Sequence, residues 1–179
     1  MVATPQDVIG FWRHAGPAKW FGGGPAFDEA IRLRFEPTHH AAARGEYDAW
    51  TETADGALAL LILLDQFPRN LYRGSAHAYA TDGKARAIAR LAVARRFHRE
   101  VEPPLGQFFM LPFEHSEDLA DQQLVLDRAE PYGEEFVKYA VIHRDIIEQF
   151  GRFPHRNAVL GRETTPEEQA FLDGGGFAG

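Results

Sequence analysis

The sequence predicts an all-α fold, and three observations support this prediction. Apolar residues recur at intervals of three and four in several separate segments, as on one face of a helix. Proline, glycine, threonine and aspartate stand at the edges of these segments, where helices begin and end. No stretch alternates apolar and polar residues for long enough to form a half-buried strand. We therefore expect about seven to nine helices with short connections, packed as antiparallel pairs.

Two helices are predicted near the N-terminus. The first begins after Thr4, which can cap it, and Pro5 suits its first turn because the missing N–H costs nothing there. The second runs from Phe27 to Arg44, and Gly45 follows it in the position of a C-terminal glycine. Pro37 lies inside this second helix and is expected to kink it or split it.

The middle of the chain contains three further predicted helices. Residues 57–64 are apolar on every side, which predicts a buried helix that ends at the motif DQFPRN, residues 65–70. Thr81 or Asp82 opens the next helix, which carries alanine and isoleucine on one stripe and arginine on the other. The proline pair at 103–104 favours the start of a third helix.

Three more helices are predicted in the C-terminal part. Ser116 is expected to cap the segment SEDLADQQLVLDR, with acidic residues in its first turn. The following helix ends at Gly151. Thr165 opens the last helix, and residues 173–179 are expected to form a flexible tail.

Length and composition predict one domain. The chain has 179 residues, of which 45% are hydrophobic and 25% are charged, and a chain of this size buries roughly 70% of its unfolded surface. We expect residues 1–172 to form a single all-helical domain. The longest apolar run is much shorter than the ~20 residues of a membrane-spanning helix. The N-terminus lacks the basic and apolar segments of a signal peptide. These features favour a cytoplasmic protein with no membrane partner.

Several classes of function are disfavoured by composition. The net charge of −7 argues against a nucleic-acid partner, since affinity for phosphate backbones comes from clustered basic residues. The absence of cysteine removes disulfides, thiolate metal sites and cysteine nucleophiles. No phosphate-binding loop, serine-hydrolase motif or zinc-protease motif occurs. We therefore predict no cofactor, and the sequence does not indicate an oligomeric state.

Two similar motifs follow apolar helices, DQFPRN at residues 65–70 and GRFPHRN at residues 151–157. In a structural interpretation, the proline ends each helix, and the following arginine and asparagine bond exposed main-chain carbonyls and cap the next turn. In a functional interpretation, both motifs and the segment PFEHSED, residues 112–118, converge on one pocket. The predicted ligand-binding residues are Asp65, Arg69, Asn70, Arg73, His115, Glu117, Asp118, His143, Arg152, His155, Arg156, Asn157 and Arg162.

The functional interpretation predicts a small anionic or zwitterionic ligand, or a peptide terminus. Arginine outnumbers lysine 16 to 3, and its guanidinium binds carboxylates and phosphates through two parallel hydrogen bonds. The carboxylates expected to neutralise these arginines are Asp65, Glu114, Glu117, Asp118 and Asp145.

Two other classes of function remain open. A metal-dependent hydrolase is one, although nearby arginines repel a cation, and we assign no residue as a metal ligand in the preferred interpretation. The residues that such a hydrolase would use are His115, His143, His155 and Glu117. A peptide-binding adaptor is the other, in which a concave helical face binds a partner and the polar motifs hold the scaffold. Whether the protein is an enzyme is therefore not decided by its residues.

Longer stretches of sequence also resemble a known family. These stretches are KWF, FDEAI, LALLILLDQFPRNLYRGSAHAYATD, LPFEHSEDLADQ and HRDIIEQFGRFPHRNAVLGRETTPEEQAFL. They resemble the bacterial family known as domain of unknown function 924, from about Val8 to Leu172. That family is described as tetratricopeptide-like, so the resemblance implies an α-solenoid or bundle of helix hairpins. It implies no particular activity.

Overall fold

The protein is all-α in a computed structural model that describes residues 3–177. No β-strand occurs among these residues. The α-helices are α1 (Pro5–Ala15), α2 (Pro17–Trp20), α3 (Gly24–Ala43), α4 (Ala54–Leu61), α5 (Phe67–Leu71), α6 (Asp82–Ala94), α7 (Pro103–Gly106), α8 (Leu111–Glu114), α9 (Leu119–Leu126), α10 (Glu134–Phe150) and α11 (Pro166–Asp173). The predicted fold class is confirmed, whereas a solenoid arrangement stays a prediction.

The chain divides into two compact units. The N-terminal unit comprises residues 1–73 and 77–112, and the C-terminal unit comprises residues 74–76 and 113–179. The prediction of a single domain over residues 1–172 stays a prediction. Its first two residues and the last two residues of the expected tail, 178–179, lie outside the described part of the chain.

The core of the N-terminal unit surrounds α4. Every residue from Ala57 to Leu64 is at most 1% exposed, because α4 contacts both α1 and α6 and its apolar side chains have no polar face to present. Trp12 of α1 is fully buried and its ring meets those of Phe67 and Phe108 edge-on, at centroid distances of 5.6 and 5.5 Å. Across residues 3–177, none of the helices has the length and apolar character that crossing a membrane requires.

The core of the C-terminal unit lies under α10, which packs on α9. Ile146 and Ile147 of this helix and the following Phe153 are each at most 4% exposed. The partly buried apolar residues packed against this cluster are Ile142, Phe150, Phe171 and Phe177. Part of the segment expected to be a tail therefore contributes an apolar contact, through Phe177.

Several predicted helix ends are confirmed. Thr4 and Asp7 form a capping box at the start of α1, and Thr165 and Glu168 form the same arrangement at the start of α11. Gly45 follows α3 with φ of 90° and donates its N–H to the carbonyl of Ala42, which only a glycine does without strain.

Pro37 does not split its helix, contrary to one of the two expected outcomes. α3 runs without interruption from Gly24 to Ala43, with Pro37 inside it. Proline cannot donate to the carbonyl four residues earlier, which belongs to Leu33. Leu33 is 76% exposed, and Pro37 is also exposed. Water can therefore reach this side of the helix, and the helix loses one hydrogen bond without burying an unsatisfied group.

The prediction that proline ends the helix in both motifs is wrong. In the first motif the chain continues from α4 through a π-helical turn into α5, and the N–H of Phe67 bonds the carbonyl of Ile62, five residues back. Pro68 then occupies the first turn of α5, where its missing N–H costs nothing. In the second motif α10 ends at Gly151, which has φ of 68°, and Pro154 begins a separate 3₁₀ turn.

The cap of α9 also differs from the prediction. Asp118, not Ser116, is the N-cap, and its side chain accepts a hydrogen bond from the N–H of Ala120 at 2.9 Å. The hydroxyl of Ser116 accepts from the N–H of Asp118 at 3.2 Å instead. Glu117 therefore precedes the helix, and its carboxylate is not engaged at the helix start.

Candidate functional site

The first motif forms an ion-pair network in the N-terminal unit. The guanidinium of Arg69 bonds both carboxylate oxygens of Asp82 on α6, each at 3.0 Å, and lies 3.4 Å from Asp65. Asp65 is 1% exposed. Burial opposes the charge on Arg69, but these two carboxylates raise its pKa above the ordinary value. The motif thus holds α5 against α6.

The remaining side chains of this motif converge on Asp28 of α3. Asn70 donates to one oxygen of Asp28 at 2.7 Å, and Arg73 bonds both oxygens at 2.7 and 3.1 Å. Although burial opposes it, these bonds lower the pKa of Asp28 below its ordinary value. Sequence reasoning did not identify Asp28 or Asp82 as partners of the motif. Arg69 and Asn70 of the motif and the following Arg73 therefore cross-link helices of their own unit, and Asp65 supports Arg69.

The second motif lies in the C-terminal unit, where the nearby Arg162 forms an ion pair with Glu117. Two parallel hydrogen bonds join them, at 2.7 and 3.0 Å, and Glu117 also accepts from the N–H of Phe153 at 2.8 Å. Arg162 further donates to the side chain of Asn157 at 2.9 Å and to the carbonyl of Phe153 at 3.0 Å. The pKa of Glu117 is lowered by these donors despite its partial burial. The predicted pairing of Glu117 with an arginine is present.

Arg152 forms a second fork, with Glu168 of α11. Its Nε and Nη2 donate to the two carboxylate oxygens at 2.6 and 2.8 Å, and Nη2 also donates to the carbonyl of Glu163 at 2.7 Å. The side chain of Glu168 is 3% exposed, and the bonds from Arg152 lower its pKa to about 2. The capping-box position of Glu168 marks it in the sequence as a carboxylate near a helix start, but does not identify this partner.

One terminal nitrogen of Arg152 is left over. Within residues 3–177, the bonds of its guanidinium use Nε and Nη2, while Nη1 makes none. The side chain is 29% exposed. Nη1 carries two N–H groups, so Arg152 presents two donors to solvent while the rest of its fork is held in place.

Arg156 has a different environment. It is 6% exposed, its Nη1 donates to the carbonyl of His115 at 3.0 Å, and its guanidinium carbon lies 4.4 Å from the centre of the Phe153 ring. This contact with a main-chain carbonyl agrees with the structural interpretation of the motif. Asp118, as described above, caps α9.

Two of the predicted histidines, His143 and His155, lie in largely buried surroundings. Nδ1 of His143 lies 2.8 Å from the carbonyl of Tyr139 and 3.0 Å from a carboxylate oxygen of Glu114. Burial lowers the pKa of His143 to about 3, and burial likewise lowers that of His155 to about 4. The ring of Phe177 meets both imidazoles edge-on, at 4.6 and 5.9 Å. Both histidines are therefore neutral at pH 7.

The metal-dependent hydrolase alternative has no support in this geometry. Among residues 3–177, no group of three or more histidine, cysteine, aspartate or glutamate side chains is placed to hold a metal ion. The rings of His115 and His143 are 6.4 Å apart, and both oxygens of Glu117 accept from Arg162.

Two clefts on the C-terminal unit meet at Arg152. The first, of about 570 Å³, is lined by Arg152, Arg162, Glu163, Thr164, Thr165 and Pro166. The second, of about 470 Å³, is lined by Gln149, Phe150, Arg152, Thr165, Glu167 and Glu168. Only Arg152 and Arg162 of these belong to the predicted ligand-binding set. The sequence marked none of the other lining residues as ligand-binding, although Thr165 and Glu168 stand in the positions of a capping box.

The structure thus distributes the predicted residues over two units. Asp65, Arg69, Asn70 and Arg73 lie in the N-terminal unit, and the others lie in the C-terminal unit. Each motif is built into an arginine–carboxylate network of its own unit. The convergence of both motifs on one pocket stays a prediction.

The fold and these networks define an all-α protein in which two related motifs cross-link helices. The chain belongs to the family described as "Bacterial protein of unknown function (DUF924)", whose sequence profile matches residues 8–176. It is similar to the structure of a protein of unknown function, ATU0120, from Agrobacterium tumefaciens. The two are 51% identical, with 95% of this chain and 97% of that chain covered and a TM-score of 0.92. The search of curated proteins gave no match. The predicted family is confirmed.

Proposed function

We propose that the protein binds a small anionic or zwitterionic molecule, or a peptide terminus, beside Arg152. The observation that carries this proposal is the unused Nη1 of Arg152, at the junction of the two clefts. Its two N–H groups point in different directions, so each can donate one hydrogen bond to an oxygen of a carboxylate or phosphate.

The fork with Glu168 supports the proposal because it prepares the guanidinium for binding. A free arginine side chain loses rotamer freedom when it grips a ligand, which weakens binding. In Arg152 the bonds to Glu168 and to the carbonyl of Glu163 already hold the group, so little freedom remains to be lost.

The charges around Arg152 are largely balanced, so a bound anion is held by directional hydrogen bonds more than by electrostatic attraction. Arg152 is paired with Glu168, and Arg162 is paired with Glu117, so their charges are largely balanced. The carboxylate of Glu163 on the first cleft is exposed and makes no bond within the described residues. It repels a bound anion but attracts an ammonium group, so we expect modest affinity for simple anions and better affinity for zwitterions.

The test is a titration followed by NMR chemical shifts, with inorganic phosphate and with glycine as probes. We expect shifts at Arg152 and Thr165. The variant Glu163→Gln removes one negative charge from the cleft and no scaffold bond, and should strengthen phosphate binding several-fold. The matched control is Glu100→Gln, which makes the same charge change at an exposed residue of the N-terminal unit.

Two results would count against the proposal. One is the absence of shifts around Arg152 with either probe. The other is an equal effect of Glu163→Gln and Glu100→Gln on phosphate binding, which would indicate only a response to net charge. Either result would leave the peptide-binding adaptor, in which the polar motifs serve the scaffold alone.

A further inference from the structure

The two clefts differ in chemical character. The first offers the guanidinium of Arg162 and the hydroxyl groups of Thr164 and Thr165. The second is bounded by the aromatic ring of Phe150, which is partly buried and packs edge-on against Phe171 at 5.2 Å. Polar residues predominate in the lining of both clefts, and the second adds one aromatic side chain, Phe150.

The apolar surface and the anion donors are close together in the chain. Phe150 is the last residue of α10, and Arg152 follows it by two positions. Two residues span at most ~7 Å between their α-carbons. Both side chains also line the second cleft, so a ligand bonded to Nη1 of Arg152 can place a neighbouring side chain on Phe150 without a long spacer.

Three features at Arg152 match the three large substituents of a C-terminal amino acid. The α-carbon of a C-terminal amino acid carries a carboxylate, a side chain and the nitrogen that leads to the preceding peptide. These correspond to Nη1 of Arg152, the surface of Phe150 and the polar first cleft. A phosphate ion has no such branches, and a simple carboxylic acid has only one besides its charged group. Both cleft volumes fall in the ~300–1,000 Å³ range of small-ligand sites.

The exposed carboxylates select further among peptide ends. Glu163 lines the first cleft and Glu167 lines the second. Both repel additional negative charge, so acidic side chains near the terminus are disfavoured.

We propose that the ligand is the carboxyl terminus of a peptide whose last side chain is apolar, preferably aromatic. Its carboxylate bonds Arg152, its last side chain lies on Phe150, and the preceding residues occupy the cleft beside Arg162. This inference rests on the proposed function, since it assigns the anionic group to the same guanidinium.

The experiment compares N-acetylated peptides by isothermal titration calorimetry. The probes are acetyl-Ala-Ala-Phe with a free carboxylate, the same peptide as its amide, acetyl-Ala-Ala-Gly with a free carboxylate, and acetyl-Phe. We expect the first to bind roughly tenfold or more tightly than the Gly peptide, because the latter buries no side chain. The first peptide should also bind more tightly than the amide, which lacks the charged partner of Arg152. It should bind more tightly than acetyl-Phe, which lacks the preceding residues.

A variant separates this inference from general loss of structure. Phe150→Leu removes the aromatic ring but keeps an apolar side chain at this position. We expect it to reduce the preference for the Phe peptide over the Gly peptide, with affinity for the Gly peptide unchanged. Unchanged affinity shows that the fold and the carboxylate donors remain intact.

The possible failures are distinguishable. Equal binding of the Phe and Gly acids, or of acetyl-Phe and the longer peptide, overturns the inference and leaves anion binding at Arg152 in place. Equal binding of acid and amide overturns the inference because the carboxylate is then not recognised. No binding of any peptide, together with no phosphate or glycine shifts, overturns the proposed function as well.

Discussion

The carboxylate of Glu168 accepts two hydrogen bonds from the guanidinium of Arg152 and one from the N–H of Thr165. The same side chain therefore caps its own helix and ties that helix to the second motif. Asn157 of the motif donates a further bond to it, at 3.1 Å. Since Glu168 is almost fully buried, these partners replace the water that would otherwise stabilise its charge.

Replacing Glu168 with Gln should destabilise the protein. The amide keeps the size of the side chain but loses the negative charge to which Arg152 and Asn157 donate hydrogen bonds. Hydrogen bonds to charged groups contribute about 1.5 to 3 kcal/mol. We expect a loss of about 2 to 3 kcal/mol in the free energy of unfolding, measured by urea denaturation at pH 7. The exposed neighbour Glu167, changed to Gln, is the control and should alter this free energy by less than about 0.5 kcal/mol. Equal effects of the two variants would contradict this account.

Stability should fall as the pH is lowered from neutrality. His155 has a folded pKa of about 4 against an ordinary 6.5, so below pH 6.5 the unfolded chain binds a proton that the folded chain does not. Burial is the main cause, Arg156, His115 and Arg162 add to it, and Glu117 opposes it. The stability contributed by this group is thus complete above pH 6.5 and is lost progressively as the pH falls toward 4.

The variant His155→Phe tests this pH dependence. Phenylalanine fills a similar volume beside Phe153 and Phe177 but does not titrate. The decline of the unfolding free energy between pH 6.5 and pH 4.5 should become shallower than in the unmodified protein. Glu168, whose pKa is lowered from 4.5 to about 2, adds a further loss only below pH 4.5. A slope unchanged by the substitution would show that other groups govern acid sensitivity.

Removing the aromatic cover of the histidines should change their titration. Phe177 packs against His143 and His155, and its loss admits water to both rings. In Phe177→Ala we expect the pKa of His155 to rise from about 4 toward the ordinary 6.5, as measured by NMR titration of its ring protons. Leu119→Ala, at a site 48% exposed in the same unit, is the control and should leave the pKa unchanged. An unaltered pKa in both variants would mean that Phe177 does not contribute to the burial of His155.

The first motif should be sensitive to the shape of its cation. Lysine in place of Arg69 keeps the charge but cannot bond both oxygens of Asp82 at once. We expect Arg69→Lys to lower the free energy of unfolding by about 1 to 3 kcal/mol in urea denaturation. Arg13→Lys, at an ion pair in which both partners are more than half exposed, should change it by less than about 0.5 kcal/mol. Comparable losses at both positions would contradict a special role for the fork.

Pro37 offers a stabilising substitution. Alanine restores the N–H that the carbonyl of Leu33 lacks, and both positions are exposed, so no packing is lost. Alanine also makes the unfolded chain more flexible, which offsets part of the gain by about 0.4 to 1 kcal/mol. We expect Pro37→Ala to raise the free energy of unfolding by about 2 kcal/mol, measured by urea denaturation, together with the thermal midpoint. A decrease in thermal midpoint would show that the proline is better accommodated in α3 than its geometry indicates.

Local signals in the sequence predicted the start of α1 and α11 correctly. In both cases the threonine, the proline after it and the acid three positions on act within one helical turn. The buried helix at residues 57–64 was also predictable, because a segment that is apolar on every side must be enclosed. These features need no knowledge of distant residues.

Other local predictions were wrong because a nearby residue or turn changed the outcome. Pro68 was expected to end a helix, but a π-helical turn before it lets the helix continue. Asp118 was expected to neutralise an arginine and instead caps α9, and Asp145 pairs with Arg144. Asp118 and Asp145 each bond a partner that is closer in sequence than the motif arginines.

The sequence by itself determined that this protein is helical, which family it belongs to and where its polar motifs lie, because periodicity, caps and motifs are written in consecutive residues. Only the tertiary structure decided which carboxylate meets which arginine. Asp28 lies 45 positions from Arg73, and Glu168 lies 16 positions from Arg152. Such pairs form only when packing brings the two residues together, since hydrogen bonds act over a few ångströms. The spacing of residues in the sequence therefore does not reveal them. For the same reason, the unused donors of Arg152 became visible only once its partners were in place.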